Sequence, residues 1–584
     1  MDFFSVLTLI GGLALFLYGM DVMGDGLKKL SGSKLETILG KLTANRFKGF
    51  LLGFLVTAII QSSSATTVML VGFVNSGIMT LGQTISIIMG ANVGTTVTAW
   101  LLSLTGISGD TFFLRILKPE SFTPILAAIG VIMMMVSKRN KQKSIGMILV
   151  GFAVLMFGME TMSDAVSGLK DSEAFASLLI MFQNPVMGIL VGTILTAIIQ
   201  SSSASVGILQ ALSMTGAISF STALPIILGQ NIGTTITPIL SSITGNRESK
   251  RVAFSCLYIK MIGVILVSVA FYLINSFVGF GFMDDIVDPM YIAVIHTAFN
   301  IVSTVILLPF CNWLEKLAVV TIKGKKDEKT DVFATLDERF LSVPGFAVEK
   351  CRELVCQMAE LSKKSIFEAT DLLYNFDEKK ANEIKESEDL VDTYEDKIST
   401  YLVHLAGSDL SDSDSREVTK LLHLVGDIER ISDHAMNIVK VADEISEKKV
   451  NFSDFAKKEI AVITAATCEI LEMATTAIQT DDKELAKKVE PLEQIIDKIK
   501  GKIKKNHIER LQKGNCTMEL GFILSDLLNN YERVSDHCSN MAVCILEIAN
   551  NSFETHEYLS HVKHEGGNDF HEQYAEFKAK YHID

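Results

Sequence analysis

The sequence predicts an all-α protein in two parts: a polytopic membrane half with inverted repeats and two re-entrant hairpins, and a water-soluble half made of two three-helix bundles. Three observations carry this expectation. Residues 1 to about 320 are apolar runs with short charged breaks, whereas 321–584 are rich in Glu, Lys and Asp at helical spacing. Nine residues, Thr57-Ala-Ile-Ile-Gln-Ser-Ser-Ser-Ala65, recur letter for letter at Thr196 to Ala204, an offset of 139, each time inside an apolar run. The second half has a repeat of its own, Glu429-Arg-Ile-Ser-Asp433-His434 returning as Glu532-Arg-Val-Ser-Asp536-His537 at an offset of 103.

The first repeat is long and in register. Gly90-x-Asn92-x-Gly94-Thr95-Thr96 matches Gly229-x-Asn231-x-Gly233-Thr234-Thr235, and Gly19, Met20, Met23 and Asp25 pair with Gly158, Met159, Met162 and Asp164. Repeated membrane segments characterise secondary transporters, whose substrate sites lie where the repeats meet. The first apolar segment, Phe3 to Met20, has neither a basic start nor a small-residue cleavage site, so it reads as a retained helix.

Charge sets the expected orientation. Lys28, Lys29, Lys34, Lys41, Arg46 and Lys48 face only Glu36 in the loop after the first helix, which places that loop in the cytoplasm. The matching stretch of the second copy, Lys170, Asp171 and Glu173, lacks the bias and goes outside, as do Asp284, Asp285 and Asp288. Lys138, Arg139, Lys141 and Lys143, then Arg247, Lys250 and Arg251, then Lys316, Lys323, Lys325 and Lys326 go inside.

Phe50 to Ile60, eleven residues, would make a helix of roughly 16 Å, about half the hydrocarbon thickness. One continuous crossing over 50–74 would throw the Lys138 cluster outside, so a hairpin that returns to its own face is expected near 50–80 and again near 188–219. Full crossings then fall near 4–22, 84–104, 121–137, 144–163, 222–243, 252–278 and 290–310, with the N-terminus outside and the soluble half cytoplasmic at the plasma membrane. Three crossings separate the hairpins, so they enter from opposite faces.

Broken backbone at membrane depth must line a cavity or be packed in protein. The hydroxyls of Ser62, Ser63, Ser64, Ser201, Ser202 and Ser203 can donate to an oxyanion or offer lone pairs to a hard cation, and Gln61 and Gln200 can do both. Asn92, Thr95, Thr96, Asn231, Thr234 and Thr235 are intramembrane polar groups of the same kind. Ser, Thr and Gly also serve close helix packing, and Gly90 to Gly94 and Gly229 to Gly233 have the small-xxx-small spacing for it. An enzyme is not expected, because the serines have no base at fixed spacing and no phosphate-cradling Gly-rich loop is present.

The paired Gln-Ser-Ser-Ser segments, the two Gly-x-Asn-x-Gly-Thr-Thr segments and His296-Thr-Ala-Phe-Asn300 resemble the bacterial type II sodium/phosphate cotransporters over about residues 1–315. That resemblance implies inorganic phosphate and sodium as the transported partners, with Gln61 to Ser64 and Gln200 to Ser203 at the phosphate and Thr66 and Ser205 among the sodium ligands. One departure stands out. Arg251-Val-Ala-Phe-Ser-Cys256-Leu-Tyr-Ile-Lys260 occupies the place of a second histidine segment without its His and Asn.

The soluble half resembles a PhoU-like domain over about 334–560. Asp389, Asp392 and Asp396 have near counterparts in Glu490, Glu493 and Asp497, and Gly407 to Asp414 reads as a break between helices. In such domains Glu429 and Asp433, and Glu532 and Asp536, can hold metal ions, carboxylates at i and i+4 converging on one hard cation. A solvated acidic face tied by Arg430 and Arg533 fits the same residues. Residues 321–333 read as a charged linker and 561–584 as a mobile tail. The eight cysteines form no paired framework, and six lie in the second half, as suits a reducing cytoplasm. The net charge of −14 without a dense basic face argues against nucleic acid as a partner. Phosphate-signalling proteins, or self-association through the PhoU-like part, complete the expected partners. Two other functions fit: a phosphate exporter, or a metal-dependent phosphate sensor that the membrane half anchors.

Overall fold

The computed structural model describes residues 3–31, 45–106, 118–137, 139–171, 173–324, 332–408, 410–550 and 568–583. Lys34, Glu36, Lys41, Lys138, Lys325, Lys326 and Asp409 lie outside the described residues. The described elements are helices, apart from one isolated antiparallel bridge between Ser219 and Ile286. The chain divides into two compact units, 1–346 and 347–584.

In the first unit, α1 (Phe3–Ser31) precedes a helix pair, α2 (Arg46–Ile60) and α3 (Ser63–Asn75). Next comes a rod broken at Thr95 into α4 (Leu81–Gly94) and α5 (Thr96–Leu102). After α6 (Pro119–Val136) and α7 (Asn140–Val166) the order returns, with the short α8 (Glu173–Phe182) inserted. The second helix pair is α9 (Pro185–Ile199) and α10 (Ser202–Ser213), and the second broken rod is α11 (Phe220–Gly233) and α12 (Ile236–Ser242). Then follow α13 (Arg247–Val278), α14 (Pro289–Leu307) and α15 (Cys311–Thr321).

The repeat-related contacts come in matched pairs. α1 packs along α7, α2 along α4, and α9 along α11. α13 packs on α3 and α12, whereas α14 packs on α10 and α5, so each closing helix bridges the two repeats in the opposite sense. The glycines of the repeated motif make the second and third contacts possible. A Cβ on Gly90 would strike the Phe50 carbonyl, and one on Gly229 the Ile189 carbonyl. Backbones this close are the use that small residues have between membrane helices.

Among the described residues of the first unit, six stretches are long and apolar enough to cross a membrane: Phe3–Leu30, Leu81–Gly106, Asn140–Leu169, Phe220–Ser242, Arg247–Val278 and Pro289–Thr321. The expected crossing at 121–137 corresponds to α6, whose apolar part, Ser121–Val136, falls short of that length. A seventh helix with the required length and composition, Asp454–Thr480, lies in the second unit. There it is a core helix: Ile463, Ala466, Ile470 and Ala474 are buried, and Glu459 is bound by Arg510 at 2.7 Å and by Asn506 at 2.6 Å.

The second unit runs α16 (Pro344–Leu372), α17 (Glu378–Ala406) and α18 (Asp412–Lys448), then α19 (Asp454–Thr480), a single turn α20 (Lys483–Ala486), α21 (Val489–Gln512) and α22 (Met518–Asn550). The two third helices, α18 and α22, meet through a crosswise exchange that follows the 103-residue offset. His434 Nδ1 bonds Asn530 Oδ1 at 2.9 Å, and His537 Nδ1 bonds Asp427 Oδ1 at 2.9 Å. The two imidazoles lie 5.8 Å apart, centroid to centroid.

Two expectations need correction. Residues 332–346 are not part of the second unit or of a free linker: Phe340 is fully buried beside Phe73, and Asp337 accepts from Asn75 Nδ2 at 2.8 Å, on α3. Arg339, paired with Asp337, also donates to the Ser241 carbonyl at 3.2 Å. Charge made 321–333 look like linker and gave 334–346 to the second unit, whereas Phe340 and Phe346 on Phe73, with the bonds to Asn75 and Ser241, dock the segment on the first. The expected tail contains α23 (Asn568–Lys580), which packs on α21, with Lys498 bonded to Tyr574 and Lys580 to Glu469 at 2.6 Å. Residues 561–567 lie outside the described residues.

Candidate functional site

The two repeated Gln-Ser-Ser-Ser segments are built alike. α2 ends at Gln61, whose φ of 59° and ψ of 20° are left-handed and whose amide returns to the Thr57 carbonyl at 2.8 Å. A non-glycine residue there costs about 1–2 kcal/mol and turns the chain sharply. Ser62 is extended and caps α3: its Oγ accepts from the Ala65 amide at 3.1 Å, and its carbonyl from the Thr66 amide at 3.2 Å. In the second copy Gln200 has φ 58° and ψ 18°, and Ser201 Oγ accepts from the Ala204 amide at 3.2 Å. Caps of this kind satisfy one or two of the four amides at a helix start. Among the described residues the amides of Ser63, Ser64, Ser202 and Ser203 have no acceptor in the chain.

Both tips wall one cavity of about 200 Å³. Gln61, Ser62, Ser63, Ser64 and Ala65 line it from one side, and Gln200, Ser201, Ser202 and Ser203 from the other. α1 contributes Met20, Asp21, Gly24 and Lys28. Lys28 forms a 3.0 Å ion pair with Asp25 and is 39 % exposed. Two helix N-termini, each worth about +0.5 of an elementary charge, therefore point into a space edged by one carboxylate and one ammonium. The arrangement offers hydroxyl and amide donors to an oxyanion without desolvating an unpaired formal charge. Sequence reasoning missed Asp21 and Lys28, although an acidic residue within an apolar helix was the available signal.

The other expected positions sit behind the cavity wall. Gln61 turns its amide away from the space: Nε2 bonds the Ala58 carbonyl, and Oε1 accepts from Thr98 Oγ1 at 2.7 Å. Gln200 is exposed, and Thr237 Oγ1, the counterpart of Thr98, is buried without a partner. Thr66 and Ser205 tie the two arms of their hairpins, accepting from Thr57 at 3.1 Å and from Thr196 at 2.8 Å. Thr95, Thr96, Thr234 and Thr235 lie at the rod breaks and donate to carbonyls of their own turns, at 2.7–3.0 Å. Asn231 donates to the Ile227 carbonyl at 3.0 Å, and Asn92 is half-buried. None of these eight lines the cavity. His296 is buried with Nδ1 unpartnered.

In the second unit the acidic cluster is not the one expected. Glu388, Asp392 and Asp433, from α17 and α18, bring carboxylate oxygens within 4.8 Å of one another. Glu429 stands beside this trio but outside it. Partial burial, then Asp433 and Asp392, raises the Glu429 carboxyl above the usual range; Glu388 and Asp392 are raised by the same two effects. In the second copy Lys500 pairs with Glu532, and Arg533 lies 3.5 Å from Asp536. Asp536 is raised by burial and then by Glu532 and Asp497. Among the described residues the sequence repeat therefore does not make two equal acidic sites: the trio gathers in the first copy, and in the second Glu532 is held by Lys500.

Comparison with known proteins matches both units of the chain to families. Residues 15–164 and 154–284 match the Na+/Pi-cotransporter family, and residues 355–442 and 462–545 match the PhoU domain. The chain belongs to the Na+/Pi-cotransporter family, a family of phosphate transporters, and carries the PhoU domain in two copies. It is 23 % identical over 553 residues to YjbB of Escherichia coli K12, whose name assigns it inorganic phosphate export, covering 93 % of this chain and 98 % of YjbB. YqeW of Bacillus subtilis is 31 % identical over 313 residues, 53 % of this chain and 96 % of YqeW. Sodium-dependent phosphate transport protein 2A of Rattus norvegicus is 35 % identical over 114 residues, 19 % of this chain and 18 % of that protein.

Proposed function

We propose that this chain is a sodium-dependent phosphate symporter of the plasma membrane that works by alternating access, with its PhoU-like half as a cytoplasmic regulatory domain. The observation that carries the proposal is the single cavity walled by both repeated serine tips. Phosphate takes the four free amides of Ser63, Ser64, Ser202 and Ser203 and the neighbouring hydroxyls, while Lys28 adds a unit charge at the rim. Sodium is taken at the rod breaks, where Thr95 and Thr96 keep lone pairs after donating to their own carbonyls. The sodium-dependent transport named for protein 2A supports coupling. Export, named for YjbB, is the second reading, and it is favoured by the near full-length match to that protein.

The two repeats enter from opposite faces in this proposal. The outer end of the first hairpin meets Asn246 and Ser249, at the start of α13, through Asn75 at 2.9–3.0 Å. The second hairpin's outgoing arm meets Pro289, at the start of α14, through Gln210 at 2.9 Å. α13 runs 32 residues before the chain reaches α14, which supports mouths at opposite ends of a membrane-length helix.

In the second unit, Glu388, Asp392 and Asp433 are the residues to hold a hard divalent cation. Three carboxylate oxygens and water suit magnesium, calcium or manganese, and the mutual repulsion described above is what such an ion relieves.

Labelled phosphate taken up by proteoliposomes holding the full chain should accumulate with a sodium gradient and not with a potassium one. Reversing the gradient reads the direction, and sodium-independent flux contradicts the proposal. Ser63→Ala and Ser202→Ala each remove one donor to an anion, worth about 1.5–3 kcal/mol, so each should weaken phosphate affinity by roughly tenfold or more. If either leaves the affinity unchanged, the two tips do not share one anion.

For orientation, cysteines placed singly at Lys141 and at Asp285, in a chain freed of its own cysteines, should be labelled from opposite faces, Lys141 from the cytoplasm. Labelling of both from one face contradicts the opposed hairpins.

The acidic trio supplies a pH-dependent expectation. The carboxyls of Glu388 and Asp392, raised in the folded state, bind protons that the unfolded chain has released, so in chelator their contribution to stability is lost as pH rises above about 4. At neutral pH, magnesium or manganese at a hundredfold excess over its dissociation constant should restore about 2.7 kcal/mol, seen as slower hydrogen exchange in α17 and α18. Asp433→Asn should stabilise the chelated protein and abolish the cation's effect. Exchange that is indifferent to the cation rules the site out.

A further inference from the structure

The two rod breaks are related by the 139-residue offset, yet one of them is already occupied by a positive charge. At the second break Thr234 Oγ1 donates to the Asn231 carbonyl at 2.7 Å and accepts from Lys260 Nζ, which reaches it from α13. Lys260 is 7 % exposed, and among the described residues no carboxylate pairs with it. At the first break Thr95 Oγ1 donates in the same way, to the Ala91 carbonyl at 3.0 Å, and among the described residues no basic side chain reaches its lone pairs.

The closing helices show why the difference arises. α14 lies against α5 of the first rod, where Trp100 Nε1 bonds Thr297 Oγ1 at 2.9 Å, and α13 lies against α12 of the second. α14 carries His296 and Asn300, four residues apart and both buried. α13 carries Cys256 and Lys260, also four apart and both buried. Asn300 uses its amide on the His296 carbonyl at 2.8 Å, and His296 keeps Nδ1 unpartnered in the interior. α13 packs on α4 of the first rod as well as on the second, so the difference between the breaks lies in the bond itself: the Thr234 hydroxyl carries a bonded ammonium and the Thr95 hydroxyl, among the described residues, does not.

An unpaired ammonium buried in an apolar layer is costly, and such groups persist where they serve the transport path. We infer that Lys260 is a tethered cation that takes the place of a co-transported sodium ion at the Thr234 break, leaving the Thr95 break as the repeat-related position that still binds one. This deepens the sodium-coupled reading given above and rests on it. The lysine supplies the same unit charge beside the same hydroxyl, but it stays with the protein. One fewer sodium ion therefore crosses with each phosphate than two equivalent breaks would carry.

The test measures 22Na+ and 32P-phosphate flux together in proteoliposomes of the full chain. Lys260→Asn, which removes the ammonium and leaves an oxygen donor, should raise the sodium-to-phosphate ratio by one ion, and Lys260→Arg should leave the ratio at the wild-type value. Sodium-coupled uptake with the same ratio in wild type and Lys260→Asn overturns the inference alone. Wild-type flux indifferent to sodium overturns the symport reading instead. If Lys260→Asn does not insert, equilibrium binding of 22Na+ to purified Thr95→Val decides the matter. Loss of repeat-associated sodium binding is expected, and retention of an ion at the wild-type affinity contradicts a position already filled by lysine.

Discussion

A backbone that stops being helical between two apolar helices must find partners for its amides, and the first unit has two such stops. Left-handed Gln61 and Gln200 end one helix and turn the chain within a single residue, and capping Ser62 and Ser201 start the next. Each turn leaves two amides without an acceptor in the chain. Placing both turns against one cavity resolves the problem for both at once. It also makes the cavity electropositive before any ligand arrives, because two helix N-termini converge there.

Holding the tips together is a matter of helix spacing. The contact of α1 with α7 brings Asp21 and Lys28 to the cavity, and the close approaches of α2 to α4 and of α9 to α11 fix the arm that leads to each tip. Hydroxyl pairs just behind the turns, Thr57 with Thr66 and Thr196 with Ser205, join the arms of each hairpin. The polar residues of the repeated motif thus divide their labour: serines at the turn face the space, and Thr57, Thr66, Thr196 and Ser205 behind it hold the arms.

The two matched helix pairs were legible in the sequence because identical letters at a constant offset take the same turn at Gln61 and at Gln200. The position of the cavity was legible for the same reason. What the letters do not carry is the direction of each side chain. Gln61 bonds Thr98 and Ala58 in the first copy, while its identical counterpart Gln200 is exposed, so repetition of a residue does not fix its use. Asp21 and Lys28 escaped notice because they belong to a helix far along the chain from either motif. The acidic trio drew Glu388 and Asp392 from α17 in place of the expected Glu429, since two helices crossing bring together residues that spacing along one helix cannot show. The docking of 332–346 and of α23 rests on a few side chains each, too few to disturb a polar composition.

The central claim is that two separate chain reversals form one anion site. Equilibrium binding of 32P-phosphate to the purified full chain in saturating sodium tests it most directly. One phosphate per chain is expected at saturation; two phosphates per chain, with each tip binding its own, would contradict it.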